Sequence, residues 1–345
     1  MRGCGFESYG FCDGKIGLEG GSLEDRFVQL NWKCEKNSLI EPMSYKEMDW
    51  AFCVIRDDDG YYYIYYVKPY VDDRKIYRMH SSDGKTNWTE NSDSAVLWGE
   101  KETKYDGGVT CPTVWKENGH YHMIFSGLSS RDGKWRAFYA MSEDGALWSV
   151  QNNSNPIITT GDASDDWDYK HAEPTGVIKV EKDYYCWYNN IDCDTATSRQ
   201  MGLATSTDLL KWSKVKLPKD SNKPIFGDGR FCPSPIKYGD KYYLFVCHFV
   251  KDCRHSEIEL YCCANPLFYP ADRKCLGIVK SYVSGSSWEA NVLDPAFVLT
   301  DTISRNTFSA SDNQLWMYYG ADTDEGGTRG IGLCTAELSK LLQQS

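Results

Sequence analysis

Apolar positions in this chain fall in short runs, each introduced by a turn of Gly, Asp or Asn, and helical periodicity is nearly absent. One phrase recurs: a polar turn, then a Tyr-rich apolar strand. It reads Asp59-Gly60-Tyr61-Tyr62-Tyr63-Ile64-Tyr65-Tyr66, then Asn118-Gly119-His120-Tyr121-His122-Met123-Ile124-Phe125. It returns as Lys182-Asp183-Tyr184-Tyr185-Cys186-Trp187-Tyr188, as Gly239-Asp240-Lys241-Tyr242-Tyr243-Leu244-Phe245, and as Asp312-Asn313-Gln314-Leu315-Trp316-Met317-Tyr318-Tyr319. Turns of this kind between apolar runs signal hairpins. A second phrase follows the first three copies and ends in Trp88, Trp148 and Trp212, at intervals of 60 and 64 residues. These Trp recur once per unit and read as structural. A third phrase precedes each hairpin, a short apolar strand usually opened by Pro: Asp49-Trp50-Ala51, Cys111-Pro112-Thr113, Glu173-Pro174-Thr175, Cys232-Pro233-Ser234 and Asp294-Pro295-Ala296. Pro is tolerated at the first residue of a strand.

Five units of about 60 residues, each with about four strand signals, predict an all-β fold, a five-bladed β-propeller. A β-sandwich with coincidental turns is the alternative, and three phrases recurring in one order argue against it. The propeller is expected over residues 41–345 as a single domain. Residues 1–40 carry no clear repeat and are expected to form a flank or a closing strand. Ala336 to Gln343 is expected to form one short terminal helix.

In a propeller the innermost strands crowd round the axis, so residues at their entrances converge on one face from distant parts of the chain. Those entrance positions are Asp49, Cys111, Glu173, Cys232 and Asp294, and three of the five are carboxylates. Hydrolysis of a glycoside needs a carboxylate base or nucleophile facing a protonated carboxylic acid across the scissile bond. A third carboxylate can hold the acid's pKa up by like-charge repulsion.

Composition narrows the choice. The 345 residues carry a formal net charge of -11, which argues against a nucleic-acid binder. No apolar run approaches the ~20 residues needed to span a bilayer, so no membrane partner is expected. Met1 to Gly20 has no continuous apolar h-region, and the chain reads as cytoplasmic with an extracellular location left open. The 14 Cys lie mostly inside apolar runs, among them Cys53, Cys186, Cys247 and Cys334, and read as reduced, buried hydrophobes. No cofactor is expected. A buried Ca²⁺ on the axis is compatible with the fold, but no ligand motif supports it, and no metal-binding residue is assigned. The 24 Tyr and 12 Trp suit strands and also make platforms for sugar rings.

The five-unit pattern resembles the five-bladed glycosidase propellers of glycoside hydrolase families 43, 32, 68, 117 and 130. In family 43 the first blade opens with an Asp before an apolar strand, matched here by Asp49. That family's third-blade Asp-Pro is matched by Glu173-Pro174, and its fourth-blade Glu-Gly-Pro falls at Phe231-Cys232-Pro233. On that alignment Glu173 takes the pKa-tuning position and the acid position is apolar. By analogy with family 32, whose acid is a third-blade Glu, Glu173 is instead the acid. The last blade, Tyr318-Tyr319-Gly320-Ala321-Asp322, is similar to family 130, which includes phosphorylases.

The reading is therefore a glycoside hydrolase acting on an oligo- or polysaccharide in a pocket at the propeller axis. Glu173 is expected as general acid and Asp49 as base or nucleophile, with Asp294 completing the catalytic set. Trp50, Asp106, Trp167, His171 and Arg230 are expected to bind substrate. His171 lies two residues from Glu173, and Arg230 stands at the fourth blade's entrance, where its fork suits a carboxylate or phosphate. A glycoside phosphorylase of the same fold and a non-catalytic carbohydrate-binding propeller are the alternatives.

Overall fold

A computed structural model describes residues 32–44, 51–70, 73–91, 94–191, 199–220, 222–250, 255–283, 286, 288–297, 314–322 and 328–340. They form five antiparallel sheets, the blades of a β-propeller. Blade 1 holds β3 (Phe52–Arg56), β4 (Tyr62–Tyr70), β5 (Asp73–Ser81) and β6 (Thr89–Glu90). Blade 2 holds β7 (Val109–Glu117), β8 (His120–Leu128), β9 (Trp135–Ser142) and β10 (Ser149–Val150). Blade 3 holds β11 (Glu173–Val180), β12 (Asp183–Ile191), β13 (Arg199–Ser206) and β14 (Ser213–Lys214). Blade 4 holds β15 (Arg230–Tyr238), β16 (Lys241–Val250), β17 (His255–Cys263) and β18 (Lys274–Lys280). Blade 5 combines β19 (Asn291–Phe297), β20 (Gln314–Asp322) and β21 (Thr328–Glu337) with two strands from near the N-terminus, β1 (Lys33–Cys34) and β2 (Ile40–Ser44), both paired to β21.

The innermost strands close a ring: β3 packs on β7, β7 on β11, β11 on β15, β15 on β19, and β19 back on β3. They approach closely. A Cβ on Gly176 of β11 would stand 2.6 Å from the Pro233 carbonyl oxygen of β15, so a residue without a side chain is required there. The core lies between blades, where the apolar face of one sheet meets the next. Between blades 3 and 4, Trp187, Met201, Phe226, Leu244, Tyr261 and Phe268 are buried together. Trp88, Trp148 and Trp212 each pack against such a layer, which explains their recurrence in the first three blades.

The second sequence phrase is a turn that satisfies its own backbone. Asp83, Asp144 and Asp208 each accept backbone N–H bonds two and three residues on. Ser81, Ser142 and Ser206 each accept the N–H three residues on. These turns also tie blades together: Tyr65 donates to the Gly145 carbonyl at 2.9 Å and Tyr318 to the Gly84 carbonyl at 2.8 Å.

At the hairpin-turn end a second tie repeats. Lys116 pairs with Asp57 of the preceding blade at 2.8 Å and lies 4.9 Å from the ring centroid of its cross-strand partner Tyr121. Lys179 pairs in the same way with Glu117 of blade 2 and lies 4.9 Å from the ring of Tyr184. Burial alone would raise the Glu117 carboxyl; the Lys179 and Tyr184 hydrogen bonds outweigh it and hold it below the usual carboxylate range.

Two expectations are corrected. Cys34 and Cys334 are cross-strand partners of β1 and β21 and form a disulfide, so Cys334 is not a free thiol. The apolar run around Cys334 hid this, because the burial that suits a small hydrophobe also brings a cross-strand cysteine into bonding range. Ala336 and Glu337 end β21 instead of opening a helix, and a turn follows; Lys340 is helical, and residues 341–345 lie outside the described set. Among the described residues no helix is long and apolar enough to cross a membrane.

Candidate functional site

Four of the five inner strands share a distortion at one level. β7 bulges between Thr110 and Thr113, β11 between Pro174 and Gly176, β15 between Phe231 and Ser234, and β19 between Leu293 and Ala296. Counting from the two-residue hairpin turns, Thr110, Glu173 and Phe231 each lie seven residues before the last paired residue of their strand. Glu173 is therefore the ladder counterpart of Thr110 and Phe231, and Pro174 that of Cys111 and Cys232. Aligning the chain on its prolines slides blade 3 by one residue. The reason is local. Cys111 and Cys232 adopt left-handed backbone, with φ of 50° and 49°. A proline ring fixes φ near about −65° and cannot follow, so in blade 3 the extra residue moves on to Thr175.

Glu173 thus opens β11, paired to Asn189 of β12, and is 5% exposed. The segment leading to it is pinned: Trp135 donates its N–H to the Lys170 carbonyl and accepts one from Ala172, bridging β9 to His171. Held in that way, the His171 ring places Nδ1 2.6 Å from Glu173 Oε1. The Cys111 thiol of blade 2 donates to Glu173 Oε2 at 3.5 Å. On the other side, Asn189 accepts the Cys232 N–H at 3.1 Å and donates to its sulfur at 3.5 Å. Three blades are therefore tied at this level, blade 2 to blade 3 through Cys111 and Glu173, and blade 3 to blade 4 through Asn189 and Cys232.

A second cluster lies one ladder step beyond Phe231, where Arg230 pairs with His248. Glu259 accepts from Arg230 Nε at 2.8 Å and Nη2 at 3.3 Å, from the Tyr261 hydroxyl at 2.7 Å, and from His248 Nδ1 at 2.9 Å. Burial alone would raise its carboxyl; the His248 hydrogen bond and the Arg230 guanidinium overcome that and hold it at about 2.

The remaining expected residues are placed as follows. Asp49 and Trp50 lie outside the described residues. The backbone of Asp294 lies at the β19 bulge, the level of Cys111 and Cys232, and its side chain is outside the described set. Asp106 holds a turn: its carboxylate accepts the Ser130 N–H at 2.8 Å and the Ser130 hydroxyl at 2.5 Å, which keep it below the usual carboxylate range. Trp167 stacks on Tyr188 with centroids 5.5 Å apart and lines a cleft of about 530 Å³ with Asp162, Trp212 and Lys214. Glu173 and His171 do not line that cleft. Arg230 spends one edge of its fork on Glu259. Among the described residues no group of three or more His, Cys, Asp or Glu is arranged to hold a metal ion.

Sequence reasoning passed over Asn189, His248 and Glu259. The dipeptide Asn189-Asn190, polar at the end of an apolar strand and buried, was a usable signal. Glu259 gave none, because Ser256-Glu257-Ile258-Glu259-Leu260 alternates as an ordinary half-exposed strand does.

No protein-family model matches the chain, and no curated protein matches it. Solved structures do share its fold. A family 117 glycoside hydrolase from the marine bacterium Zobellia galactanivorans superposes with a TM-score of 0.64 at 14% identity, covering 91% of this chain and 92% of that one. A glycosyl hydrolase from Bacteroides ovatus gives 0.59 at 14% identity, covering 88% and 92%. A structure described with the GH130 family of mannoside phosphorylases, which contains glycoside hydrolases targeting β-1,2 mannosidic linkages in Candida mannan, gives 0.58 at 14% identity, covering 88% and 93%. The chain is similar to five-bladed propeller glycoside hydrolases in fold.

Proposed function

We propose that this protein is a glycoside hydrolase and that Glu173 is its general acid. The observation that carries the reading is Glu173 itself: a buried carboxyl at an inner-strand entrance, gripped by His171 on one oxygen and Cys111 on the other. A group fixed on both oxygens keeps its orientation while a glycosidic bond is brought against it. In the reaction the protonated Glu173 gives its proton to the departing glycosidic oxygen as the C–O bond breaks. Asp49, at the first blade's entrance, either takes a proton from the attacking water or attacks the anomeric carbon itself. Asp294, at the entrance of blade 5, is the third carboxylate of the proposed set. The fold shared with glycoside hydrolases is consistent with a carbohydrate substrate.

A non-catalytic carbohydrate-binding propeller is the second reading. It is favoured by thiols at two entrances, Cys111 and Cys232, where a hydrolase could place further carboxylates. A phosphorylase is less well supported, because the edge of Arg230 suited to a bidentate phosphate contact is taken by Glu259.

The test is a screen of aryl glycosides and of plant, algal and microbial oligosaccharides, with the product anomer followed by NMR and with phosphate present or absent. Phosphate-independent release of a free sugar is expected. Sugar 1-phosphate formed only with phosphate points to the phosphorylase, and binding without turnover across the screen points to the lectin-like reading.

A further inference from the structure

The Arg230–His248–Glu259 cluster is unused by the reaction just described, and its geometry is that of a presented side chain. Glu259 accepts four hydrogen bonds, two of them from a guanidinium, which is the inventory of an ionised carboxylate with no proton to give. The His248 ring must therefore donate from Nδ1 to Glu259 Oε1. In the neutral ring that fixes the tautomer and leaves Nε2 with its lone pair. Among the described residues Nε2 meets no partner, and the side chain is 23% exposed. Arg230 likewise commits Nε to Glu259 and the Tyr261 hydroxyl and Nη2 to Glu259, and among the described residues Nη1 meets no partner. A buried carboxylate thus holds one free acceptor and one free donor group.

The cluster lies at the same end of the inner strands as Glu173. The pair Arg230–His248 is one ladder step outward from Phe231–Cys247, which is the blade 4 counterpart of Glu173–Asn189. The two blades are joined at that level by the Cys232 N–H donated to Asn189. We propose that His248, positioned by Glu259, binds substrate by accepting a hydrogen bond from a ring hydroxyl of the sugar, with Arg230 Nη1 donating to a neighbouring oxygen. The assignment rests on the glycoside hydrolase reading for its ligand class. It adds the residue that selects hydroxyl configuration on the blade 4 side of the pocket. A site built to accept from a hydroxyl discriminates against a sugar that presents it in the other configuration, because the acceptor is then left unpaired.

The experiment is ¹⁵N NMR of the histidine rings in the full chain, with His248 assigned by comparison with His248→Asn. The probes are galactose, mannose, xylose, arabinose and galacturonate, each titrated separately into wild-type protein and Glu173→Gln. The expected result is His248 in the Nδ1–H form, with an Nε2 signal that moves with at least one sugar in both proteins. In the aryl glycoside assay His248→Asn is expected to raise KM about tenfold, with kcat within about threefold. An Nε2–H tautomer, or a His248 signal that no sugar moves, overturns the proposal. If Glu173→Gln instead keeps full turnover while His248 still responds to sugar, the hydrolase mechanism fails and the binding site stands.

Discussion

His171 Nδ1 stands 2.6 Å from Glu173 Oε1, with only Ala172 between them in the chain. The contact is built by the backbone: Ala172 is locked to Trp135 of the neighbouring blade, so His171 has little freedom to leave. His171→Ala removes the partner on Oε1 and frees the carboxyl to rotate. Turnover is expected to fall about 10- to 100-fold, as misplacement of a catalytic group does, with the melting temperature nearly unchanged. Cys111→Ala removes only a weak thiol donor and is expected to cost less than about fivefold. Steady-state kinetics on whichever glycoside the screen identifies measures both; a larger loss for Cys111→Ala would reverse the ranking of the two contacts.

The blade-to-blade turns give a stability test with an internal control. Gly145 has φ of 68°, its carbonyl accepts from Tyr65, and a Cβ there would lie 2.5 Å from the Tyr65 hydroxyl. Gly60 has φ of 86° and open space around it. Both Ala variants incur left-handed strain of about 1–2 kcal/mol. Only Gly145→Ala also displaces a buried tyrosine, and it is expected to cost about 1–3 kcal/mol more. Denaturant titration of the two variants reads the difference, and equal losses would contradict the interblade role of Tyr65.

The Cys34–Cys334 disulfide clasps the strand from near the N-terminus to the last blade across a sequence separation of 300. A loop of that size restricts the unfolded chain by roughly 5–6 kcal/mol in the chain-entropy picture. Cys34→Ser, or reduction, is expected to lower the melting temperature by several degrees, measured by calorimetry with and without reductant. An unchanged melting temperature would mean the clasp adds nothing to ring closure.

Glu259 makes acid stability specific. Its carboxyl is held at about 2, against an ordinary value of 4.5, by His248 and Arg230 acting against burial. The stabilisation it supplies is complete above the unfolded value and is lost as pH falls from about 4.5 toward 2. Its size is on the order of 3 kcal/mol. The wild type should therefore lose stability over that window. Glu259→Gln, already weaker at neutral pH, should show a flatter curve there. Parallel curves from chemical denaturation between pH 2 and 6 would contradict the assignment.

What the chain revealed before folding, and what it concealed, follows from the range of the interactions. The five units were readable because each is a local pattern: an Asx turn, an alternating strand, a Trp that repeats. The entrance position of Glu173 was readable for the same reason, since strand starts are local. Its partners were not. Cys111 is 62 residues away and meets it only because β7 and β11 are neighbours in the ring. The one-residue slide at Pro174 was invisible because it depends on the sign of φ at Cys111 and Cys232. Arg230 was found as an entrance residue, but its ion pair to Glu259 spans two strands of a sheet whose pairing register the sequence does not state. The disulfide joins the two ends of the described chain, across a separation of 300 residues that no local pattern signals.

The most direct measurement is turnover by Glu173→Gln beside wild type, on the glycoside the screen identifies, with the fold checked by circular dichroism and melting temperature. The amide keeps the size of the carboxyl and can no longer supply an acid proton. The account predicts a folded protein with turnover down by at least about 10²-fold, and with the loss smallest on aryl glycosides whose leaving groups need no protonation. Full activity in Glu173→Gln would contradict it.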